Sequence, residues 1–312
     1  ASTTRTPASR LSGNPACWRS RCASRCCRRS LSASRTGTLP LLPEGILTQQ
    51  RLDEAVVTRG TESEVVQLLM HTGLGLSPQF YWATTTAEHH LFAAITPGTS
   101  ALIKEGWEAN LADLKKRQEE ASGRILAKRA QELQHPMRGL TVVRNTRIFN
   151  SETALLTAAS DVYILRGMIT GIFPAGTYLT PVDNELDAAG RVMLPGLFDM
   201  HTHISRWSAS YHLTAGVTSV RDLGNANVEL QKMIDETLDG SLMSPRVIPA
   251  GFIEGESAYS AHDGILIADL NDVRHAIDWY SLRGYPHLKI YNWKVNCLMP
   301  LEFLNLKPKK VI

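Results

Sequence analysis

His201 and His203 stand two positions apart near the end of the apolar run LFDMHTHI. Residues i and i+2 of an extended strand project from one face, so the two imidazoles are expected to converge on a single point. Two neutral ring nitrogens at such a point suit a divalent cation, and burying them is costly unless they ligate or hydrogen-bond something. Taken alone, His-x-His also describes two incidental polar residues at a strand end. Asp199 precedes the pair at the same-face spacing and is placed to orient it. Asp222 ends a second apolar run, GVTSVRDLG, where it is a candidate outer partner for a ligand imidazole and equally an ion-pair partner for Arg221. Lys289 and Tyr291 alternate onto one face of a third run, HLKIYN. There Lys289 is either a ligand or a lysine reaching solvent, and Tyr291 either donates to a substrate carboxylate or packs at the rim. His262 reads as a lid or surface residue, and the adjacent His89 and His90 cannot point the same way on one element, so they read as surface or packing histidines.

The elements that must hold these residues follow from hydrophobic periodicity. After the Pro195-Gly196 turn, strands over LFDMHTHI, GVTSVRDLG, RVIPAG and HLKIYN alternate with three helices. The first helix lies around Trp207–Ala215. The second is marked by Leu230, Met233, Ile234 and Leu238 and closed by Gly240, and the third by Val273, Ala276, Ile277 and Tyr280 and closed by Gly284. A long loop, Phe252–Asp269, precedes the third helix. Four strand–helix steps in this order predict a parallel sheet whose strand ends carry the chemistry. Residues 140–195 are short β-rich runs broken by turn residues, predicting a small sheet built from hairpins. Residues 46–139 are expected to be mainly helical, from patterns such as SEVVQLLMHTG and a long helix over Glu105–Leu133. That helix carries Trp107, Leu111, Leu114, Ala121 and Ile125 on one stripe and ends before Pro136.

The segment AAGRVMLPGLFDMHTHI closely resembles the entry into the barrel of the amidohydrolase superfamily, where a small β-sandwich hands over through Pro-Gly to a strand ending Asp-x-His-x-His. HLTAGVTSVRDLGN is similar to that superfamily's second strand and RGYPHLKIYN to its fourth, in the correct order, so the resemblance spans residues 140–295. The nearest subgroup in appearance is the imidazolonepropionase-related and prolidase-like one. The resemblance implies an α/β fold: about half of a TIM-type barrel over 196–312, preceded by the sandwich at 140–195. It implies hydrolysis of an amide or other carbon–nitrogen bond in a small molecule by a metal-activated water. His201 and His203 would bind the more buried of two divalent ions, most plausibly zinc. Lys289, carbamylated by carbon dioxide, would bridge both. A complete barrel of this family adds two further histidines and an aspartate acting as general acid/base. The tail VNCLMPLEFLNLKPKKVI supplies neither residue type, so the chain is expected to be incomplete as a catalyst on its own. An inactive fragment, a binding or scaffold protein, and a subunit completed by a partner are the competing expectations.

Composition narrows the remaining choices. The net charge of +3 is small, and much of the excess falls before Glu44, the first acidic residue, so the body gives no reason to invoke nucleic acid or a membrane. Residues 1–45 are Arg- and Ser-rich and are expected to be disordered. They fit a transit-type leader, a basic nucleic-acid arm or a misread frame, the last being favoured. Cys17, Cys22, Cys26 and Cys27 crowd into this opening without zinc-knuckle spacing and Cys297 stands alone, which favours a reducing, cytoplasmic setting.

Overall fold

The computed structural model describes residues 37–41, 43–86, 89–96, 100–257, 260 and 263–291. It divides into two compact units at Arg124/Ile125. Nearly all of the Arg/Ser-rich opening, His262, all five cysteines and the chain after Tyr291 lie outside the described residues.

The first unit corrects the expectation of a mainly helical region. Strands β1 (Thr38–Pro40), β2 (Ile46–Arg59), β3 (Glu62–Thr72), β4 (Gln79–Thr84), β5 (Leu91–Thr96) and β6 (Ser100–Ile103) form an antiparallel meander, each beside its neighbour in sequence. The physical reason lies in β3. Val65, Val66, Leu68 and Leu69 have the spacing of a helical stripe, yet six consecutive residues, Val66 to His71, are buried because both faces of the strand are covered. Val66 and Leu68 join a core with Trp82, Phe92 and Trp107, while Leu69 packs with Tyr81 and Ala83. A strand covered on both faces loses its two-residue alternation and cannot be told from helix by periodicity.

The expected long helix is present as α1 (Leu111–Leu133), entered through a 3-10 turn at Glu108–Asn110. Trp107, Leu114 and Ala121 are buried as the stripe requires, but Leu126 rather than Ile125 takes the next inward position.

The second unit holds two sheets. In the first, β7 (Leu140–Asn150) is the spine of a six-stranded mixed sheet with β8 (Leu155–Leu156), β9 (Ser160–Leu165), β10 (Met168–Pro174), β11 (Asn184–Asp187) and β12 (Val192–Met193). Only part of it is the expected hairpin work. β9 and β10 form a hairpin, whereas β11 and β12 return to lie parallel to β7. All six strands are linked by pairing through β7. Its polar anchor is Asp161, fully buried, which accepts hydrogen bonds from the amides of Asn145 and Gly176 and from the Arg144 guanidinium.

The second sheet is parallel, with order β13 (Leu197–Thr202), β14 (Val217–Asp222), β15 (Arg246–Gly255), β16 (Ile265–Ile267), and β17 (His287–Tyr291) also paired to β15. Helices α2 (Ala209–Thr214), α3 (Asn227–Leu238) and α4 (Leu270–Leu282) connect them, as the sequence predicts. The stretch expected to be a loop from Phe252 instead extends β15 to Gly255 and adds β16. Asp269 opens α4 with a capping box, its carboxylate accepting from the amides of Asn271 and Asp272. One face of the sheet is covered: Val220 packs with Leu230 and Met233 of α3, and Ile253 with Val273, Ala276 and Tyr280 of α4. Among the described residues no helix is long and apolar enough to cross a membrane.

Candidate functional site

Gly196 brings the chain into β13, where a Cβ would sit 2.0 Å from the Thr218 hydroxyl, so only glycine lets the two strands approach. The pairing of β13 with β14 then breaks step. Asp199 lies opposite Val220 and Thr202 opposite Asp222, so Met200 and His201 together face Arg221 alone. Two residues against one is a β-bulge, a device that re-aims side chains beside functional sites. It corrects one expectation. Asp199 shares the face of its partner Val220, which points into the helix layer, and its carboxylate lies 3.6 Å from His212 Nε2 in α2. Strict alternation from Asp199 through His201 is therefore interrupted. Asp199 still reaches His201, through the backbone, accepting from its amide at 3.0 Å.

The two imidazoles come together, with ring centroids 5.9 Å apart and planes at 63°. Both residues are exposed, so the burial cost that would demand a ligand is absent and the argument for one rests on arrangement. His203 supplies that arrangement. Its Nδ1 is 2.5 Å from the Gly224 carbonyl, which can only accept, so Nδ1 is the donor, and in the neutral ring that tautomer leaves the lone pair on Nε2. A ligand histidine is ordinarily held in this way, its second nitrogen donating to a carbonyl or carboxylate.

Asp222 contacts neither imidazole and does not pair with Arg221. Fully buried, it accepts from the amides of Ile204 (2.8 Å) and Gly224 (3.0 Å) and from the Asn225 side chain (3.2 Å). It thus sets the turn whose Gly224 carbonyl receives His203. Gly224 has φ +137°, a conformation that side chains rarely adopt. Arg221 instead donates from Nε to the Met200 carbonyl at 2.7 Å. Arg221, Gly224 and Asn225 take part in holding the pair but carry no motif of their own. The one signal for them is position, just after a strand of the same parallel sheet.

Lys289 and Tyr291 share a face of β17, opposite Phe252 and Glu254 of β15. The Lys289 ammonium lies 5.5 Å from the Phe252 ring centroid and 5.2 Å from that of Tyr291. Aromatic faces attract an ammonium group at such distances. Tyr291 is exposed and leans on Phe252 at 5.7 Å, serving as one wall of this cradle. Among the described residues no group of three or more His, Cys, Asp or Glu side chains could hold a metal ion. Two imidazoles fit one; the third and fourth positions are not filled by those residue types.

Over part of its length the chain resembles proteins of the amidohydrolase superfamily. It is 33% identical over 165 residues to an adenine deaminase from Geobacillus kaustophilus (strain HTA426), covering 47% of this chain and 27% of that protein. To an adenine deaminase from Ruegeria sp. (strain TM1040) it is 40% identical over 65 residues, covering 20% of this chain and 11% of the relative. The chain thus spans about a quarter or less of the length of the curated relatives it matches. Among solved structures, a bottromycin amidohydrolase aligns with TM-score 0.44 and 20% identity, over 58% of this chain and 38% of that one. An A. niger ochratoxinase aligns with TM-score 0.40 and 15% identity, over 50% and 47%. No family model matches the chain.

Proposed function

We propose that residues 196–291 form the front part of a TIM-type barrel hydrolase site, acting on a carbon–nitrogen bond of a small molecule, with His201 and His203 as its first two metal ligands. The observation that carries this reading is the histidine pair: the two rings lie with centroids 5.9 Å apart, and His203 is oriented through Nδ1 by the Gly224 carbonyl. The similarity to adenine deaminases supports the bond class. A divalent ion such as zinc, held by these imidazoles, would polarise the scissile group and lower the pKa of water to about 7.

The chain's own residues do the positioning. Asp199 and Asp222 fix the backbone on either side of the imidazoles, and Lys289 offers a third group on the open face. As a carbamate Lys289 would become an anionic ligand, exchanging its aromatic contacts for metals. The exposed apolar side chains of both edge strands, Leu197 and Phe198 on β13 and Leu288 and Ile290 on β17, support the view that turnover needs further protein, in this polypeptide or a partner.

The test is zinc content after equilibrium dialysis, with and without bicarbonate, for wild type, His201→Ala, His203→Ala and Lys289→Ala. Wild type is expected to hold zinc, both histidine variants to lose it, and Lys289→Ala to lose only the bicarbonate-dependent part. Equal zinc in all four proteins would remove the site.

A further inference from the structure

Four of the five residues from Met200 to Ile204, all but His201, are tied to a residue between Arg221 and Asn225. The Met200 carbonyl accepts from Arg221 Nε, and the Thr202 carbonyl accepts from the Leu223 amide at 3.0 Å. His203 Nδ1 donates to the Gly224 carbonyl. The Ile204 amide donates to Asp222, and the Ile204 carbonyl accepts from Asn225 Nδ2 at 2.6 Å. His201 is held by its own strand, through Asp199. Three of these ties come from side chains other than a carboxylate, those of Arg221, His203 and Asn225. Of the three, only the Arg221 side chain bonds at the bulge, where two residues of β13 oppose it alone. A bulge leaves its extra residue outside the ladder, so the direction of His201 is set by whatever fixes the adjoining peptide.

We infer that Arg221 is the positioning residue for His201: its guanidinium grips the Met200–His201 peptide and keeps the first imidazole beside the second. Arginine suits the task because its planar fork donates from Nε while staying charged, which makes the bond to a carbonyl stronger than a neutral one. The Asp199 carboxylate holds the same peptide from its other end, at the His201 amide. The consequence for metal binding rests on the function proposed above; the consequence for His201 itself does not.

The experiment compares the full chain with Arg221→Met and Arg221→Lys by two readouts, titration with zinc alone and amide exchange at His201. Arg221→Met is expected to weaken zinc binding about 10- to 100-fold, the usual effect of losing a group that orients a ligand. The His201 amide should exchange faster while the β14–β15 ladder keeps its protection. Arg221→Lys, which retains a donor without the fork, should fall between wild type and Arg221→Met in both readouts. Unchanged zinc affinity and unchanged His201 exchange in Arg221→Met overturn the inference. So does a loss of protection spread evenly over the sheet, which marks a merely structural arginine. Should Arg221→Met not fold, wild-type behaviour of Arg221→Lys in both readouts overturns it. If wild type binds no zinc the proposed function fails, and the His201 exchange alone decides this inference.

Discussion

The two strands that sit deepest in the antiparallel meander and the two that edge the parallel sheet are opposites. In β3 and β4 every residue from Val66 to His71 and from Tyr81 to Thr84 is buried. In β13 and β17 no residue is buried at all, although both strands are rich in Leu, Ile, Phe and Met. A parallel sheet is ordinarily covered on both faces. The meander completes its own core with strands and one helix, and two of its histidines bond within it: His71 to Gln49 and Tyr81, and His89 to Gln67. The parallel sheet leaves its chemistry and its apolar surface open together. On the function proposed here, stability and chemistry fall to different regions, and substitutions should separate them.

The largest expected effect is in the meander. Trp82 is fully buried among Val66, Leu68, Phe92 and Trp107. Trp82→Ala should cost about 3–5 kcal/mol, the range for deleting a large buried aromatic. Chemical denaturation followed by amide exchange should show the loss in residues 46–103, with zinc binding at His201 and His203 retained. Loss of zinc binding in the same variant would break the division between the regions.

How much of this was legible beforehand differs between the regions for the same reason. The longer helices of the parallel unit each show one apolar stripe, with Gly240 and Gly284 just beyond them at φ +81° and +73°. The helices and four of the five strands after Gly196 therefore follow from periodicity, while β16 and the end of β15 do not. The histidine pair follows from its position at a strand end. The meander does not, because continuous burial in β3 erases the alternation that marks a strand. The bulge at Met200–His201 is also invisible in sequence, since it depends on register with β14. With it went the roles of Asp199 and Arg221, one expected beside the imidazoles and the other expected to pair with Asp222.

A smaller effect belongs to the mixed sheet and depends on pH. Burial alone pushes the Asp161 carboxyl up, but the Asn145 amide, the Arg144 guanidinium and the Gly176 amide outweigh it and hold the pKa below the ordinary value. A carboxylate depressed in the folded state stabilises fully above the unfolded pKa of about 3.9, and its contribution fades as pH falls through the lower folded value. The urea midpoint of the second unit should therefore fall between about pH 5 and pH 2, and the fall should be shallower in Asp161→Asn. An identical acid limb in the variant would assign the acid sensitivity to other carboxylates.

The smallest effect on stability, and the sharpest test of the comparison, is at the open edges. Phe198 is 65% exposed on β13 and Ile290 is 44% exposed on β17. Side chains that stay in water contribute little to folding, so Phe198→Ser and Ile290→Ser should each change stability by no more than about 0.5 kcal/mol. They should instead lower the binding of a hydrophobic dye, because contiguous exposed apolar surface is what such a dye occupies. The meander offers the control, since Leu69→Ser buries a hydroxyl and should do the reverse, costing stability. If Phe198→Ser or Ile290→Ser instead destabilises the chain by more than about 1 kcal/mol, that edge is covered in solution. The contrast between a closed sheet and an open one would then give way to two sheets closed by different means.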